Sequence, residues 1–487
     1  VTHPSAGNLG GGGFLLVRPH GGPTTAVDFR ETAPKTLTRP DFDRMIAAKG
    51  SGPVAPGVPG TVAGLLLAHR RFGKLPFDRV AAPAVALARD STLGDEQAAL
   101  LAAHWNTLKL DAAARKVFGD ARGAPRRAGT KLAQPALART LEAIAARGEA
   151  AFYAGSAAQS LAKATAGHLA TSDLAAYRAV EREPLVVHYR GFEIETMPPP
   201  SAGGLVLAGT LVALDQLEPA PPAAENADEL HLFLEISRRA QALRRFHVID
   251  PDAQSEAERH VLAARFLDPA ELLAVPVDPA HATPSSKVHP LYGDALRELE
   301  HTTHLSAVDA GGMVVSLTIT LSASFGAKIM VPELGVLLGN AVGSFSSSGD
   351  NQPVPGRRTT SSMAPTLVLE HGAVLYVLGT PGGDTIPSTL GLLLERLLVH
   401  ALPLDQAVDA PRIHHGFVPD QVRYEAARPL PKPLLEELTK KGHALYRARS
   451  SQGDVSAIAL SGGEAFGYAD PREGPGLALA ARGAGAE

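Results

Sequence analysis

The 487-residue sequence predicts an α+β fold in which two β-sheets are stacked between layers of helices. Apolar residues recur with a helical period from Thr61 to Leu174, with a strand period at 185–196 and after Thr302, and with a helical period again from Leu390 to His400. Because sheets and helices each bury one apolar face, this order suggests that the sheets lie inside. With 45% hydrophobic residues, the chain can bury a large core as one domain or two closely joined ones.

The composition excludes several classes of function. The formal net charge is -4 and the basic residues are scattered, so no basic stripe follows a nucleic acid backbone. The sequence has no cysteine, which excludes thiol nucleophiles, thiolate metal sites and disulfides. No apolar run approaches the roughly 18 residues of a membrane span. The sequence opens on Val1 without a signal peptide or an initiator Met, so we expect it to begin inside a longer precursor.

The first predicted elements are a glycine run, Gly10 to Gly13, and an apolar strand, Phe14 to Val17. The run lacks the Lys-Ser/Thr pair of a phosphate loop and precedes a strand, so tight packing under an active site is the better interpretation. A partner strand, Ala26 to Phe29, ends at Arg30. An arginine there can clamp a carboxylate with two hydrogen bonds, although most such arginines form surface salt bridges.

The next elements form an Ala- and Leu-rich helical layer, a hairpin and further helices. Ser201 follows the hairpin, and because the chain has no Gly-x-Ser-x-Gly we interpret it as a turn and helix cap. The run from Val275 to Val288 is rich in Pro, Ala and Ser and predicts an exposed linker. The predicted helices include 80–88, 97–105, 137–146, 205–214, 228–248 and 257–266, and the hairpin pairs 185–189 with 192–196.

Strand patterns dominate after Thr302. A strand from Thr302 turns at 309–312 and returns as Met313 to Leu321, and a second hairpin joins 366–369 with 373–378. A threonine pair entering a strand is ordinary by itself, because β-branched residues favour strands. His414 and His415 are adjacent rather than at metal-ligand spacing, so no metal is predicted.

Several motifs, taken together and in order, resemble the γ-glutamyltranspeptidase family of N-terminal-nucleophile hydrolases over nearly the entire chain. They are His3-Pro4 with Gly10 to Gly13, Arg30 to Pro34, Gly57 to Thr61, Met197 to Ser201, Thr302-Thr303-His304, Ser361-Ser362-Met363 and Pro381-Gly382-Gly383.

The resemblance implies a four-layer αββα sandwich and an inactive precursor that cuts itself between His301 and Thr302. It implies one intertwined domain made of a large subunit region, 1–301, which is N-terminally incomplete relative to the family, and a small subunit region, 302–487. Thr302 would be the nucleophile, and its freed amine the base. The chemistry agrees, because an α-amino group titrates at about 7.7 to 8.0 and an internal threonine has no such base.

The remaining site residues are also implied by the resemblance. Thr320 matches the threonine that supports the nucleophile, and Gly382 and Gly383 match the pair whose backbone N–H groups form the oxyanion hole. The substrate carboxylate would be bound by Arg30, Ser361 and Ser362. No cofactor is implied.

The sequence departs from the family pattern where relatives bind the substrate's α-amino group. Ala341 stands where the family usually has Gln or Glu, and Ser344 stands where it usually has Asp. Ser322 stands where an Asn is usual. An unpaired ammonium in a partly buried site costs free energy, so we expect weaker preference for it and tolerance of an acyl group without the amine, such as glutaryl. The segment from Ser346 to Arg358 is short where many relatives carry a lid, which predicts an open site.

The function that the resemblance implies is hydrolysis of γ-glutamyl compounds such as glutathione, with transfer of the γ-glutamyl group to amino acids or peptides as a second outcome. Two alternatives stay open: a glutaryl or cephalosporin-type acylase on the same scaffold, and a catalytically silent binding relative. The expected partners are a small amide substrate and the two subunits from one precursor, without nucleic acid or a membrane span. Kinship implies a periplasmic or secreted location.

Overall fold

The computed structural model describes residues 1–217, 224–292, 302–472 and 476–480. Within these residues the strands are β1 Gly12–Arg18, β2 Thr25–Asp28, β3 Ser91–Thr92, β4 Lys131–Leu132, β5 Val180–Arg182, β6 Leu185–Tyr189, β7 Phe192–Thr196, β8 Thr302–Val308, β9 Val314–Thr320, β10 Met330–Val331, β11 Val336–Leu337, β12 Thr366–Glu370, β13 Ala373–Gly379, β14 Ile413–His414, β15 Val422–Glu425, β16 Leu445–Ala448, β17 Ser456–Ser461 and β18 Glu464–Ala469.

The same residues form the following α-helices. They are α1 Arg39–Ala47, α2 Thr61–Phe72, α3 Phe77–Arg89, α4 Asp95–Leu108, α5 Ala112–Phe118, α6 Pro135–Arg147, α7 Ala150–Tyr153, α8 Gly155–Ala164, α9 Thr171–Ala176, α10 Ala202–Leu217, α11 Ala227–His247, α12 Glu256–Leu267, α13 Pro269–Leu272, α14 Ser285–Val288, α15 Ile386–Leu394, α16 Leu404–Asp409 and α17 Lys432–Lys440.

Two antiparallel sheets form the centre of the fold. One has the strand order β5-β2-β1-β9-β8 and the other the order β18-β17-β13-β12-β7-β6. They lie face to face, and hydroxyl groups bond across the gap: Ser316 Oγ donates to the Leu378 carbonyl at 2.8 Å, and Ser306 Oγ donates to the Ser456 carbonyl at 3.0 Å. Polar bonds between the sheets therefore fix β8 and β9 against β13 and β17.

Helices cover the outer face of each sheet. On the first sheet, α2 packs over β1 and β2, and buried Phe29 contacts this helix layer. On the second sheet, α10 lies on β6 and β7 and packs against α11, α12 and α15. The largest apolar cluster spans the sandwich, since it joins Phe14 of β1, Ile194 of β7 and Leu207 of α10. The predicted αββα layering is confirmed.

Most predicted elements form with small shifts of their ends. Both hairpins are present, and the run 275–288 is largely exposed, although it ends in the short helix α14. The helix predicted from Leu390 to His400 is wrong at its start: α15 begins at Ile386, because Pro387 fits the first turn of a helix, and a π-helical turn continues it over Glu395–Val399. None of the helices in the described ranges combines the length and the apolarity that a membrane span requires.

Candidate active site

Thr302 is the first residue of β8, and its hydroxyl faces that of Thr320. The two residues are direct partners in the β8–β9 ladder, and their Oγ1 atoms are 3.3 Å apart. Thr320 is buried, and its Oγ1 also accepts a 2.7 Å hydrogen bond from the Ser322 backbone N–H. The predicted cleavage point involves His301, which lies outside the described residues.

The glycine run packs against the strand that carries Thr320. An added Cβ would lie 2.0 Å from the Thr320 carbonyl oxygen at Gly11 and 2.4 Å from Glu31 Oε2 at Gly12. Gly12 is also the direct β1 partner of Thr320. Side chains are therefore excluded beneath the threonine pair, and the interpretation of the run as tight packing is confirmed.

Arg30 is buried and held in one orientation by several acceptors. Its Nη2 donates to Thr359 Oγ1 at 2.8 Å, to the Thr360 carbonyl at 3.2 Å and to Ser344 Oγ at 3.5 Å. Its Nη1 lies 2.8 Å from Glu31 Oε2. A fixed guanidinium pays little side-chain entropy when it binds an anion, as the predicted carboxylate clamp requires.

The serine pair comes from the segment that leads into β12. Ser361 Oγ accepts from the Met363 N–H at 3.2 Å, and Arg244 of α11 donates to Ser362 Oγ. Ser201 caps α10, because its Oγ accepts from the Gly204 N–H at 2.9 Å and donates to the Met363 carbonyl at 2.7 Å. Its predicted capping role is confirmed.

Gly382 and Gly383 form a sharp turn between β13 and α15. Their φ angles are 135° and 59°, in the region that favours glycine. The turn is fixed by Thr385 Oγ1, which donates to the Gly382 carbonyl at 2.8 Å. Rigid backbone at this point is what an oxyanion hole needs, since its donors must be oriented before reaction.

Asp384, the next residue, anchors this turn and was missed by the sequence reasoning. Gln241 Nε2 donates to its carbonyl at 3.0 Å, and its carboxylate lies 3.7 Å from each of Arg245, His414 and Arg423. Burial would raise the pKa of Asp384, but His414, Arg245 and Arg244 outweigh it and hold the pKa well below its usual range. The sequence feature that could have pointed to Asp384 is an acidic residue directly after the predicted oxyanion-hole glycines.

One small cavity brings the predicted site residues together. Gly382, although next to Gly383, is not among its lining residues. The cavity is lined by Arg30, Thr302, Thr320, Ser322, Asn340, Gly343, Ser344, Ser361, Ser362, Met363, Gly383 and Ile386.

Thr302 also borders a second, larger cavity of about 890 Å³. His304 lies on its wall and is bonded within the sheet, with Nδ1 2.8 Å from Thr318 Oγ1 and Nε2 3.1 Å from Ser306 Oγ. Burial lowers the pKa of His304 to about 3, so the imidazole is neutral at neutral pH. His304 therefore supports β8 rather than supplying a proton there.

Among the described residues, His231, Glu235 and His443 are close enough to be considered as metal ligands. His231 Nδ1 and His443 Nε2 are 2.8 Å apart, as in a hydrogen bond between neutral rings. Both oxygens of Glu235 already pair with Arg238 and Arg239 and accept from the Thr283 N–H. Because the Glu235 oxygens already accept hydrogen bonds and two arginine cations lie beside them, the three residues fit a metal ion poorly.

A four-layer αββα sandwich with a threonine hydroxyl at the start of a strand of a central sheet is typical of N-terminal-nucleophile hydrolases. The fold is shared with a solved cephalosporin acylase from Bacillus halodurans at a TM-score of 0.82 and 22% identity, covering 99% of this chain and 89% of that one. A solved γ-glutamyltranspeptidase from Helicobacter pylori is 30% identical at a TM-score of 0.53, covering 60% of this chain and 85% of its own.

The chain belongs to the γ-glutamyltranspeptidase family, whose model, Gamma-glutamyltranspeptidase, matches residues 1–480. It is 35% identical over 498 residues to a glutathione hydrolase proenzyme of Escherichia coli strain K12, covering 97% of this chain and 84% of that protein. It is 36% identical over 512 residues to a glutathione hydrolase proenzyme of Pseudomonas aeruginosa, covering 98% and 88%. The predicted family and enzyme class are confirmed.

Proposed function

We propose that the chain belongs to the precursor of a γ-glutamyl hydrolase that cleaves itself between His301 and Thr302 and then hydrolyses γ-glutamyl amides such as glutathione. The observation that carries the proposal is the single cavity in which Thr302, Thr320, Gly383, Arg30, Ser361 and Ser362 meet. Relatives over almost the whole chain are named glutathione hydrolase proenzymes, which supports the same activity.

Thr302 carries the chemistry in both reactions. In the precursor, its Oγ attacks the carbonyl carbon of His301, and the C–N bond breaks as the ester forms, which frees the Thr302 amine. Water then hydrolyses this ester at its C–O bond, which leaves a carboxylate on His301 and restores the Thr302 hydroxyl. In the mature enzyme this amine takes the Oγ proton while Oγ attacks the γ-carbonyl of the substrate. The proton passes to the leaving amine, and water then hydrolyses the acyl ester; an amino acid or peptide amine that replaces water yields transfer instead.

The surrounding groups stabilise charge and position the acyl group. Thr320 Oγ1, 3.3 Å away, holds the Thr302 hydroxyl at the strand start. The backbone N–H groups of Gly382 and Gly383 receive the developing oxyanion, and such fixed donors lower a barrier by about 3 to 4 kcal/mol each. Arg30, Ser361 and Ser362, which line the same cavity, hold the substrate carboxylate.

Cleavage would separate a large subunit region, 1–301, from a small subunit region, 302–487. Both sheets contain strands from both regions, because β1 pairs with β9 and β7 pairs with β12. The subunits would therefore stay together as one intertwined domain. The proposed location is periplasmic or secreted, in line with kinship.

The test compares the wild-type chain with Thr302→Ala and Thr302→Ser. On a denaturing gel we expect two wild-type fragments, the smaller one starting at Thr302 by N-terminal sequencing, and one intact band for Thr302→Ala. Thr302→Ser keeps the hydroxyl and should still process. γ-Glutamyl anilide turnover should follow processing. An intact wild-type chain without turnover would instead support a silent binding protein, and a Thr302→Ala chain that matures and turns over substrate would refute the mechanism.

A further inference from the structure

The turn that carries the predicted oxyanion-hole glycines is held by a hydroxyl that lies outside the cavity. Thr385 is fully buried, and its Oγ1 donates to the Gly382 carbonyl oxygen at 2.8 Å. In a planar trans peptide unit the N–H points opposite to the carbonyl. The bond to the Gly382 carbonyl therefore also sets the direction of the Gly383 N–H, and Gly383 lines the cavity together with Thr302.

A buried side chain of α11 fixes the same turn from its other end. Gln241 is fully buried, and its Nε2 donates to the Asp384 carbonyl oxygen at 3.0 Å. The residues Gly383–Thr385 form one 3₁₀ turn that leads into α15. Carbonyl groups on both sides of Gly383 thus accept a side-chain hydrogen bond, which leaves the Gly383 N–H little freedom to turn.

The carboxylate of Asp384 joins this turn to three further elements. It lies 3.7 Å from Arg245 of α11, from His414 of β14 and from Arg423 of β15. A buried anion among cations resists displacement, because moving it would leave charges unpaired in the protein interior. The backbone that Gln241 and Thr385 bind is therefore itself anchored to the core.

We propose that Thr385 and Gln241 are positioning residues that aim the Gly383 N–H at the oxyanion formed during acyl transfer. The inference rests on the proposed hydrolase function and adds two residues to its machinery. Neither residue is among the described lining residues of the cavity, so both act through the backbone. Because the oxyanion exists only at and near the transition state, a misplaced donor should lower kcat and leave KM nearly unchanged.

The experiment measures kcat and KM for a γ-glutamyl p-nitroanilide, with kcat expressed per processed chain. Thr385→Val keeps the shape of the side chain and removes the donor to the Gly382 carbonyl. We expect kcat to fall about tenfold or more and KM to stay within about twofold, since loss of an oxyanion-hole donor costs about 10²–10³ in kcat. Thr385→Ser keeps the hydroxyl and should restore most of kcat.

Gln241→Met tests the second bond in the same assay. Methionine has nearly the length of glutamine but cannot donate to the Asp384 carbonyl, and the substitution leaves no buried charge unpaired. We expect kcat to fall about threefold to tenfold at an unchanged KM, as the loss of one neutral hydrogen bond allows.

Two matched controls remove buried hydrogen bonds of the same kinds outside the cavity. Thr140 Oγ1 donates to the Leu334 carbonyl at 2.8 Å, and Gln134 Nε2 donates to the Val1 carbonyl at 3.0 Å. Thr140→Val and Gln134→Met should lower the free energy of unfolding and leave kcat unchanged. An equal loss of kcat in these controls would show a general effect of stability and would overturn the proposal.

The remaining outcomes separate this inference from the proposed function. Wild-type kcat in Thr385→Val or in Gln241→Met overturns the inference, and so does a loss that appears in KM instead. A variant that no longer processes would show a role in folding or self-cleavage and would also overturn it. A wild-type chain that neither processes nor cleaves the anilide contradicts the proposed function itself.

Discussion

At the scale of single residues, the site depends on a hydroxyl pair held by sheet register. Thr302 and Thr320 face each other because β8 and β9 are antiparallel with these residues in register. The Ser322 N–H bonds the second hydroxyl and limits its rotation. In the proposed mechanism, Thr320 can therefore orient the Thr302 hydroxyl before the free Thr302 amine exists, which is when self-cleavage needs that orientation.

Thr320→Val should slow both self-cleavage and turnover by about tenfold, because it removes a hydrogen bond of about 1–1.5 kcal/mol while keeping the shape of the side chain. The rates are read from fragment appearance on a gel and from anilide hydrolysis. Thr320→Ser keeps the hydroxyl and should stay near the wild-type rates. Equal rates for the Val and Ser variants would show that the Thr320 hydroxyl plays no part.

At the scale of elements, sequence patterns correctly predicted the features that depend on residues close together in the sequence. The two hairpins and the Ser201 cap depend on neighbours in sequence, and each is present. The close packing of Gly10 to Gly13 was also predicted, although its partners Leu337 and Thr320 are distant in sequence. The network around Asp384 could not be predicted in this way. Its partners Arg245 and Arg423 come from α11 and β15 and meet only in the folded chain.

In the cavity around Thr302, too, some residues were predicted from the sequence and others were found only in the structure. Of the described residues that the family resemblance implied, all but Gly382 line one cavity. Arg244 was missed because an arginine within a helical period looks like a solvent-facing residue, whereas α11 is buried on nearly all sides. The buried Asn340 Oδ1, which has no hydrogen-bond partner among the described residues, is a feature that only the three-dimensional structure shows.

Gly11→Ala tests the coupling between the glycine run and β9. The new Cβ would lie 2.0 Å from the Thr320 carbonyl oxygen, so β1 or β9 must move. We expect the free energy of unfolding to fall by about 1–3 kcal/mol, as overpacked cores do, with slower self-cleavage. Urea unfolding and gel assays measure the two effects. Gly94→Ala has open space around its Cβ and serves as the control; if the two variants behaved alike, the packing argument would fail.

At the scale of the whole molecule, the two predicted fragments share both sheets. The β1–β9 and β7–β12 ladders each join a strand before residue 301 to a strand after it. A cut at one peptide bond therefore leaves the hydrogen bonds between the fragments in place. Self-cleavage can then change the chemistry at Thr302 without dismantling the fold that positions it.

Acid should destabilise the whole molecule, because several histidines are buried in their neutral form. Burial lowers the pKa of His415 to about 4 and that of His443 to about 3. As the pH falls below about 6.5, the unfolded chain binds protons that the folded chain does not. The free energy of unfolding must then decrease, by up to about 1.4 kcal/mol per pH unit for each histidine, until the pH reaches the folded pKa values.

Urea unfolding between pH 7 and pH 4.5 measures this slope. His443→Gln keeps a polar side chain near His231 but removes one titrating group, so its free energy of unfolding should depend less steeply on pH than that of the wild-type chain. His188→Gln removes an exposed histidine and should keep the wild-type slope. If His443→Gln instead kept the wild-type slope, or if stability rose toward pH 4.5, His443 would not be buried as a neutral group.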